Sequence, residues 1–286
     1  MSEFKIITDS SCDLSVEELS KRGVICLPLH FRFTDDEREY FNFDMPISDF
    51  YSRMKDGGVA KTAAINAESF AEAFRGVLES GFDVLYLGFS SGLSTTFNSA
   101  RLAAKEVCEE YPERKIICVD SLAASAGVAL LLDMLLEKQA EGASIEDVAE
   151  FAEQTRLKIA HWFTVDDLVY LKRGGRVSPT VAFVGNLLGI KPVLHVDDGG
   201  HLTNVSKARG RHASLLSLAE KLGNTIEKGS KVYISHGNCI EDAKKLASII
   251  EEKYGYKTDL ITDVGPVIGA HSGPGTLALF FVASER

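Results

Sequence analysis

"YLGFSSGLSTTFNSA", residues 86 to 100, runs from one kind of local structure into another with only a short polar turn between them. Residues 84–89 are apolar, uncharged and few, as a strand buried on both faces must be. Beyond the serines, Phe97, Ala100, Ala104, Val107 and Tyr111 recur at helical spacing, behind a Ser/Thr cluster suited to cap the helix start. Similar strand-like runs lie at 5–8, 25–31 and 115–119, and further helical patterns at 123–138 and 145–157. Alternation of this kind predicts an α/β fold with a mostly parallel sheet.

The second half reads differently. "KPVLHVDDGGHLTNVS", residues 191–206, is two strands about an Asp-Asp-Gly-Gly turn, an antiparallel hairpin. Helices are expected at 212–222 and 240–254, and strands at 232–235, 258–261 and 276–282. The expected organisation is two domains. Residues 1–158 form an N-terminal α/β domain with a mostly parallel sheet, and residues 159–286 a mixed α/β domain containing the hairpin.

With 286 residues the chain has room for two cores, and its 45% hydrophobic and 25% charged content is that of a soluble globular protein. The opening "MSEFKIITDS" has neither a basic n-region nor an apolar h-region, and the longest uncharged apolar stretch, 121–132, stops at Asp133. These features predict a cytoplasmic protein without a membrane segment. The cysteines (Cys12, Cys26, Cys108, Cys118, Cys239) are scattered, odd in number and contain no C-x-x-C pair, so buried free thiols are expected rather than disulfides or a zinc site. A net charge of −10 argues against nucleic acid as a partner. Between residues 172 and 211, however, seven basic residues (Lys172, Arg173, Arg176, Lys191, Lys207, Arg209, Arg211) face two acidic ones, Asp197 and Asp198.

In open α/β sheets ligands sit beyond the carboxyl ends of the strands. Three strands of the first half end in polar residues there: Asp9-Ser10, Ser90-Ser91 and Asp120-Ser121. Ser90, Ser91, Ser94 and Thr95 precede a helix, whose unpaired N–H groups and partial positive charge favour an anion. Capping accounts for one or two of these hydroxyls and leaves the others over. Gly88-Phe89-Ser90-Ser91-Gly92 also spells the G-x-S-x-G elbow of serine hydrolases, so a serine esterase acting through Ser90 is the alternative. Against it, no oxyanion loop of the H-G-G-G type precedes Ser90, and no base stands out as its partner. The P-loop and dinucleotide fingerprints are missing, and no carboxylate–histidine cluster has metal-ligand spacing.

Three other stretches carry candidate chemistry. "DVGPVIGAHSGPGTLALFF" surrounds His271 with glycines, which allow close approach of backbone to a ligand or simply tight turns. "YLKRGGRVSP" sets Lys172, Arg173 and Arg176 about a Gly-Gly turn. It reads as a solvated loop or as a docking patch for an acidic partner, aided by Arg209 and Arg211. Residues 31–51 hold Phe31, Phe33, Tyr40, Phe41, Phe43, Phe50 and Tyr51, expected to form core beneath an insertion or else to line an apolar pocket.

Eight segments in this order, "IITDSSCDLS", "LPLHF", "KTAAIN", "GFSSGLSTTFNSA", "VDSLAASAG", "LKRGGRVS", "LLGIKPVL" and "GPVIGAHSGPGTLALFF", resemble the DegV family, the fatty-acid-binding carrier subunits of bacterial fatty acid kinase. The resemblance implies a carrier, not itself an enzyme, enclosing one long-chain fatty acid as ligand without a cofactor. It implies that Thr62, Ser91 and His271 hold the carboxylate; Ser10, Ser90, Ser94, Thr95 and Ser121, at the strand ends and the helix start, are further candidate contacts. It also implies that Arg173 and Arg209 meet the kinase, which phosphorylates the bound acid to an acyl phosphate for phospholipid synthesis. Ala63-Ala64-Ile65 after the threonine and Thr95 after the serine depart from the family's usual Ser-Gln-Pro and Gly, beside the expected carboxylate site. On this reading the buried chain, at about 0.8 kcal/mol per CH₂, supplies most of the affinity, and hydrogen bonds of roughly 1.5–3 kcal/mol fix where the carboxylate stops. Neutral hydroxyls are then expected to hold it without a buried arginine.

Overall fold

The computed structural model describes residues 3–177, 189–284 and 286. Ser178 and Pro179 of the basic turn lie outside them. Four strands, β1 (Phe4–Asp9), β2 (Ile25–Leu27), β6 (Asp83–Gly88) and β7 (Ile116–Asp120), form an all-parallel sheet in the order β2-β1-β6-β7. Helices α1 (Val16–Arg22), α3 (Ala67–Glu79), α4 (Thr96–Glu110), α5 (Ala126–Ala140) and α6 (Ile145–Thr155) accompany it. Every residue of β6 is buried, which accounts for its uninterrupted apolar sequence.

The run at 25–31 is not one strand. It breaks at Pro28, which has no N–H to donate to a ladder. β2 ends in the parallel sheet, and β3 (His30–Phe33) opens a second, antiparallel sheet in the order β4-β3-β5, with β4 (Tyr40–Phe41) and β5 (Ala60–Ala63). Against it packs α2 (Ile47–Lys55). Phe31, Phe33, Tyr40, Phe50 and Tyr51 are buried together there, while Phe41 and Phe43 face solvent. The aromatic cluster is therefore core.

From residue 159 the chain builds a six-stranded mixed sheet, β10-β9-β8-β13-β11-β12. Its strands are β8 (Ile159–Thr164), β9 (Ile190–Val196), β10 (Leu202–Arg209), β11 (Val232–His236), β12 (Leu260–Asp263) and β13 (Leu277–Val282). β9 and β10 pair antiparallel across the Asp-Asp-Gly-Gly turn, and only β11–β12 is parallel. Around this sheet lie α7 (Val169–Arg173), α8 (Arg211–Thr225), α9 (Ile240–Tyr254) and α10 (Pro266–Ser272).

The two main sheets share a core through α5, which is buried almost all round. Asp133, the acid that interrupts its apolar run, is held by Arg22 through two hydrogen bonds of 2.7 and 3.0 Å and by the Tyr233 hydroxyl, so the buried charge is paired. All five cysteines are free. Cys12 is fully buried, but the other four are only half-buried. No helix among the described residues is long and apolar enough to cross a membrane.

Candidate functional site

A cavity of about 1080 Å³ lies where the carboxyl end of the parallel sheet meets the mixed sheet. That is at or above the usual range for small-molecule sites, roughly 300–1,000 Å³. Phe163 on β8 and Ala278 and Phe280 on β13 supply an apolar wall, and Leu29, Phe89 and Leu93 come from the other half. Thr62, Ser91, Ser94, Thr95, Arg176 and His271 all reach it.

Thr62 stands on β5 and His271 on α10, and Thr62 Oγ1 is 2.7 Å from His271 Nε2. Burial, with a smaller contribution from the Arg176 charge, pushes the imidazole down to about 4, so it is neutral at pH 7. Its Nδ1 is buried without a partner, tight against Gly174, where a lone pair fits better than an N–H. With the proton on Nε2 the imidazole donates to Thr62 and leaves the threonine's own hydroxyl proton for an anion. α10 is a short helix opened by Pro266 and fixed by three side chains from the N-terminal part of the chain. Asp13 Oδ1 accepts from Gly265 N (2.9 Å), Asn42 Oδ1 accepts from Val267 N (3.0 Å), and the Tyr51 hydroxyl donates to Val264 O (2.8 Å).

On the serine loop, Ser94 Oγ accepts from Thr96 N (3.2 Å) and lies 2.9 Å from Thr96 Oγ1. Thr95, at the N-cap of α4, makes no side-chain capping bond. The start of α4 therefore faces the cavity with its positive end and with hydroxyls that capping has not consumed. Ser91 is exposed on the rim, its N–H donating to Asp120 Oδ1 (3.2 Å).

The structure does not bring Ser10, Ser90 or Ser121 to the cavity wall. Ser10 Oγ accepts from Leu29 N (2.9 Å), Ser121 Oγ accepts from Ala123 N (3.1 Å), and Ser90 Oγ donates to Gly200 O in the hairpin turn (2.9 Å). Ser90 is fully buried and outside the positive-φ region, so the G-x-S-x-G match lacks the geometry of a nucleophile elbow.

Arg173 and Arg209 are exposed, Arg173 lying over the Tyr170 ring. Arg176 behaves differently from the patch it was grouped with. After the Gly-Gly turn its side chain points inward, Nε donating to Leu93 O (3.1 Å) and Nη1 to Gly174 O (2.5 Å), half-buried beside the cavity. Burial lowers its pKa from the usual arginine range, yet a guanidinium stays charged at neutral pH. A half-buried cation thus borders the cavity beside the hydroxyls, a position the charge pattern alone did not single out. Only the turn, which reverses the chain between Arg173 and Arg176, hinted at it. Among the described residues no cluster of three or more His, Cys, Asp or Glu is arranged to hold a metal ion.

A family model described as "Uncharacterised protein, DegV family" matches residues 3–284. A DegV domain-containing protein of Clostridium perfringens is 40% identical over 100% of this chain and 99% of its own length. A fatty acid-binding protein of Thermotoga maritima is 34% identical over 99% of this chain and 98% of its own. Among solved structures, a stearic acid-binding protein of Eubacterium ventriosum superposes with a TM-score of 0.89 at 29% identity, covering 98% of each chain. A fatty acid kinase (Fak) B3 protein of Streptococcus pneumoniae, loaded with linoleic acid, has the same fold, with a TM-score of 0.86 at 23% identity over 98% of this chain and 99% of the other.

Proposed function

The chain belongs to the DegV family, and from that premise we propose that it binds one long-chain fatty acid in the cavity and presents the carboxylate to a separate fatty acid kinase. The observation that carries this reading is a cavity bordered both by apolar side chains of β8 and β13 and by the hydroxyls of Thr62, Ser91 and Ser94 and the imidazole of His271, with Thr62 and His271 in contact. The chain lies against Phe163, Ala278 and Phe280, and the carboxylate accepts from Thr62 and from the hydroxyls at the start of α4. Arg176 adds a fixed positive charge behind that end. It balances the carboxylate and, after phosphoryl transfer, the larger charge of the acyl phosphate.

Arg173 and Arg209 are the exposed cations of the docking surface in this reading, and phosphoryl transfer is the kinase's chemistry. The reading is supported by the fatty-acid ligands of the family's relatives, and the kinase step by resemblance. Organic extraction of the purified protein followed by mass spectrometry tests the first part, with one long-chain acid per chain expected. Absence of a stoichiometric acid, together with no uptake of added palmitate or oleate, counts against it. Replacing Ser91 with alanine is expected to weaken retention modestly and phosphorylation strongly.

A further inference from the structure

The elbow missing at Ser90 is found at Ser125. Ser125 stands in the loop between β7 and α5 with φ 57° and ψ −146°, a conformation that costs a non-glycine residue about 1–3 kcal/mol and persists only where its surroundings enforce it. Here its N–H donates to Ser11 O (2.7 Å) and its carbonyl accepts from Val128 N (3.0 Å). The residues two before and two after are Ala123 and Gly127, and the ring of His161 crowds the place a Gly127 Cβ would take. A small–x–Ser–x–small frame is what lets a serine turn sharply from strand to helix with its oxygen outward. Ser125 lines the cavity.

Its Oγ donates to Asp13 Oδ2 at 2.6 Å, and Asp13 Oδ1 is fixed by Gly265 N at 2.9 Å. The single hydroxyl proton of Ser125 is spent on Asp13, so Ser235 Oγ, 2.8 Å away, donates to Ser125. Nucleophile, base and a group that orients the base are therefore in line, and the N-terminus of the 15-residue α5 begins one residue further on. Burial raises the Asp13 carboxyl to about 7 against its hydrogen bonds from Ser125 and Gly265, with Asp263 adding to the rise, which suits a base working near neutral pH.

We propose that Ser125 is an acyl-accepting nucleophile with Asp13 as its base, acting on long-chain acyl thioesters or esters held in the same cavity. Ser125 Oγ forms a bond to the acyl carbonyl carbon as its proton passes to the Asp13 carboxylate. The carbon–sulfur or carbon–oxygen bond to the leaving group breaks, and that group takes the proton from Asp13. Water repeats the sequence, its proton going to Asp13 and then to Ser125 Oγ, and releases the free acid. The activity requires only that the cavity admits an acyl chain. In a reaction sequence it supplies the free acid that a carrier holds.

The test uses the purified full-length chain with an alkyl fluorophosphonate, the modified residue being located by peptide mass spectrometry. One adduct on Ser125, absent in Ser125→Ala and retained in Ser90→Ala, is expected. Hydrolysis of decanoyl-coenzyme A should fall about 10²-fold or more in Ser125→Ala. Labelling of another serine or of none overturns the proposal, as does thioester hydrolysis by Ser125→Ala equal to that of the wild type. Palmitate uptake by the wild-type chain, measured in parallel, is expected to be stoichiometric. It keeps failure of this proposal separate from failure of the binding reading.

Discussion

Gly174 lies directly under the imidazole of His271, so closely that a Cβ at this position would overlap Nδ1. Gly174 has an ordinary negative φ, which makes the requirement steric rather than conformational. Gly174→Ala is therefore expected to push His271 off Thr62, at a cost of about 1–3 kcal/mol in stability, and to loosen fatty-acid retention. In a His271→Ala background the same substitution should cost almost nothing. A double-mutant cycle on thermal stability and bound acid checks this, and equal effects in both backgrounds would show that the ring is not what Gly174 accommodates.

Acid stability offers a second check, because His271 and Asp13 act with opposite sign. His271 has its folded pKa pushed down to about 4, below the unfolded value of about 6.5, so its contribution is present above pH 6.5 and lost as pH falls toward 4. Asp13 has its folded pKa raised to about 7, so its contribution is full below pH 4 and lost as pH rises through 7. Between pH 4 and 6.5 the two slopes oppose one another. Relative to wild type, His271→Gln should make stability fall more steeply, or rise less, as pH increases through this window. Asp13→Asn should do the reverse. Denaturant melts at half-unit pH steps give the two slopes.

Chain-length preference should follow the wall on β13. Ala278 is small, buried and borders the cavity between Phe163 and Ser235 on the flanking strands. Ala278→Phe is expected to exclude the longest acids and shift the extracted population toward shorter ones, each lost CH₂ removing about 0.8 kcal/mol of burial. Mass spectrometry of the extracted lipid reads the shift directly.

The three arginines should separate by readout. Arg173→Glu and Arg209→Glu are expected to leave the extracted fatty acid unchanged while lowering phosphorylation by an added kinase about tenfold or more, most strongly at low salt. Arg176→Ala should instead reduce retention, because its guanidinium touches the cavity and the carbonyls of Leu93 and Gly174. Loss of bound acid in Arg173→Glu would contradict the division of roles.

The parallel sheet was legible because strands buried on both faces leave long apolar runs, and the hairpin because Asp-Asp-Gly-Gly marks its turn. What escaped depended on contacts between distant segments. β8, "IAHWFT", just past the expected boundary, was not among the expected strands, since His161 and Trp162 interrupt its apolar pattern, yet all six of its residues are buried. α10 was hidden in a glycine-rich stretch, although Pro266 at its first turn was a usable signal. The serines divided by what folded against them. Ser91 and Ser94 reach the cavity, while Ser90, one residue away from the first, is claimed by the carbonyl of Gly200. No local pattern distinguishes such neighbours. Arg176 was assigned by charge to a surface island, and only the reversal at Gly174-Gly175 turns it inward.

The attachment of α10 to Asp13, Asn42 and Tyr51 has a consequence for dissection of the molecule. His271 is presented by the last quarter of the polypeptide but aimed by side chains from its first fifth. Severing the chain near residue 158 should therefore yield two pieces, neither of which assembles the imidazole–threonine pair alone. Only co-expression, allowing the pieces to find each other again, should restore it.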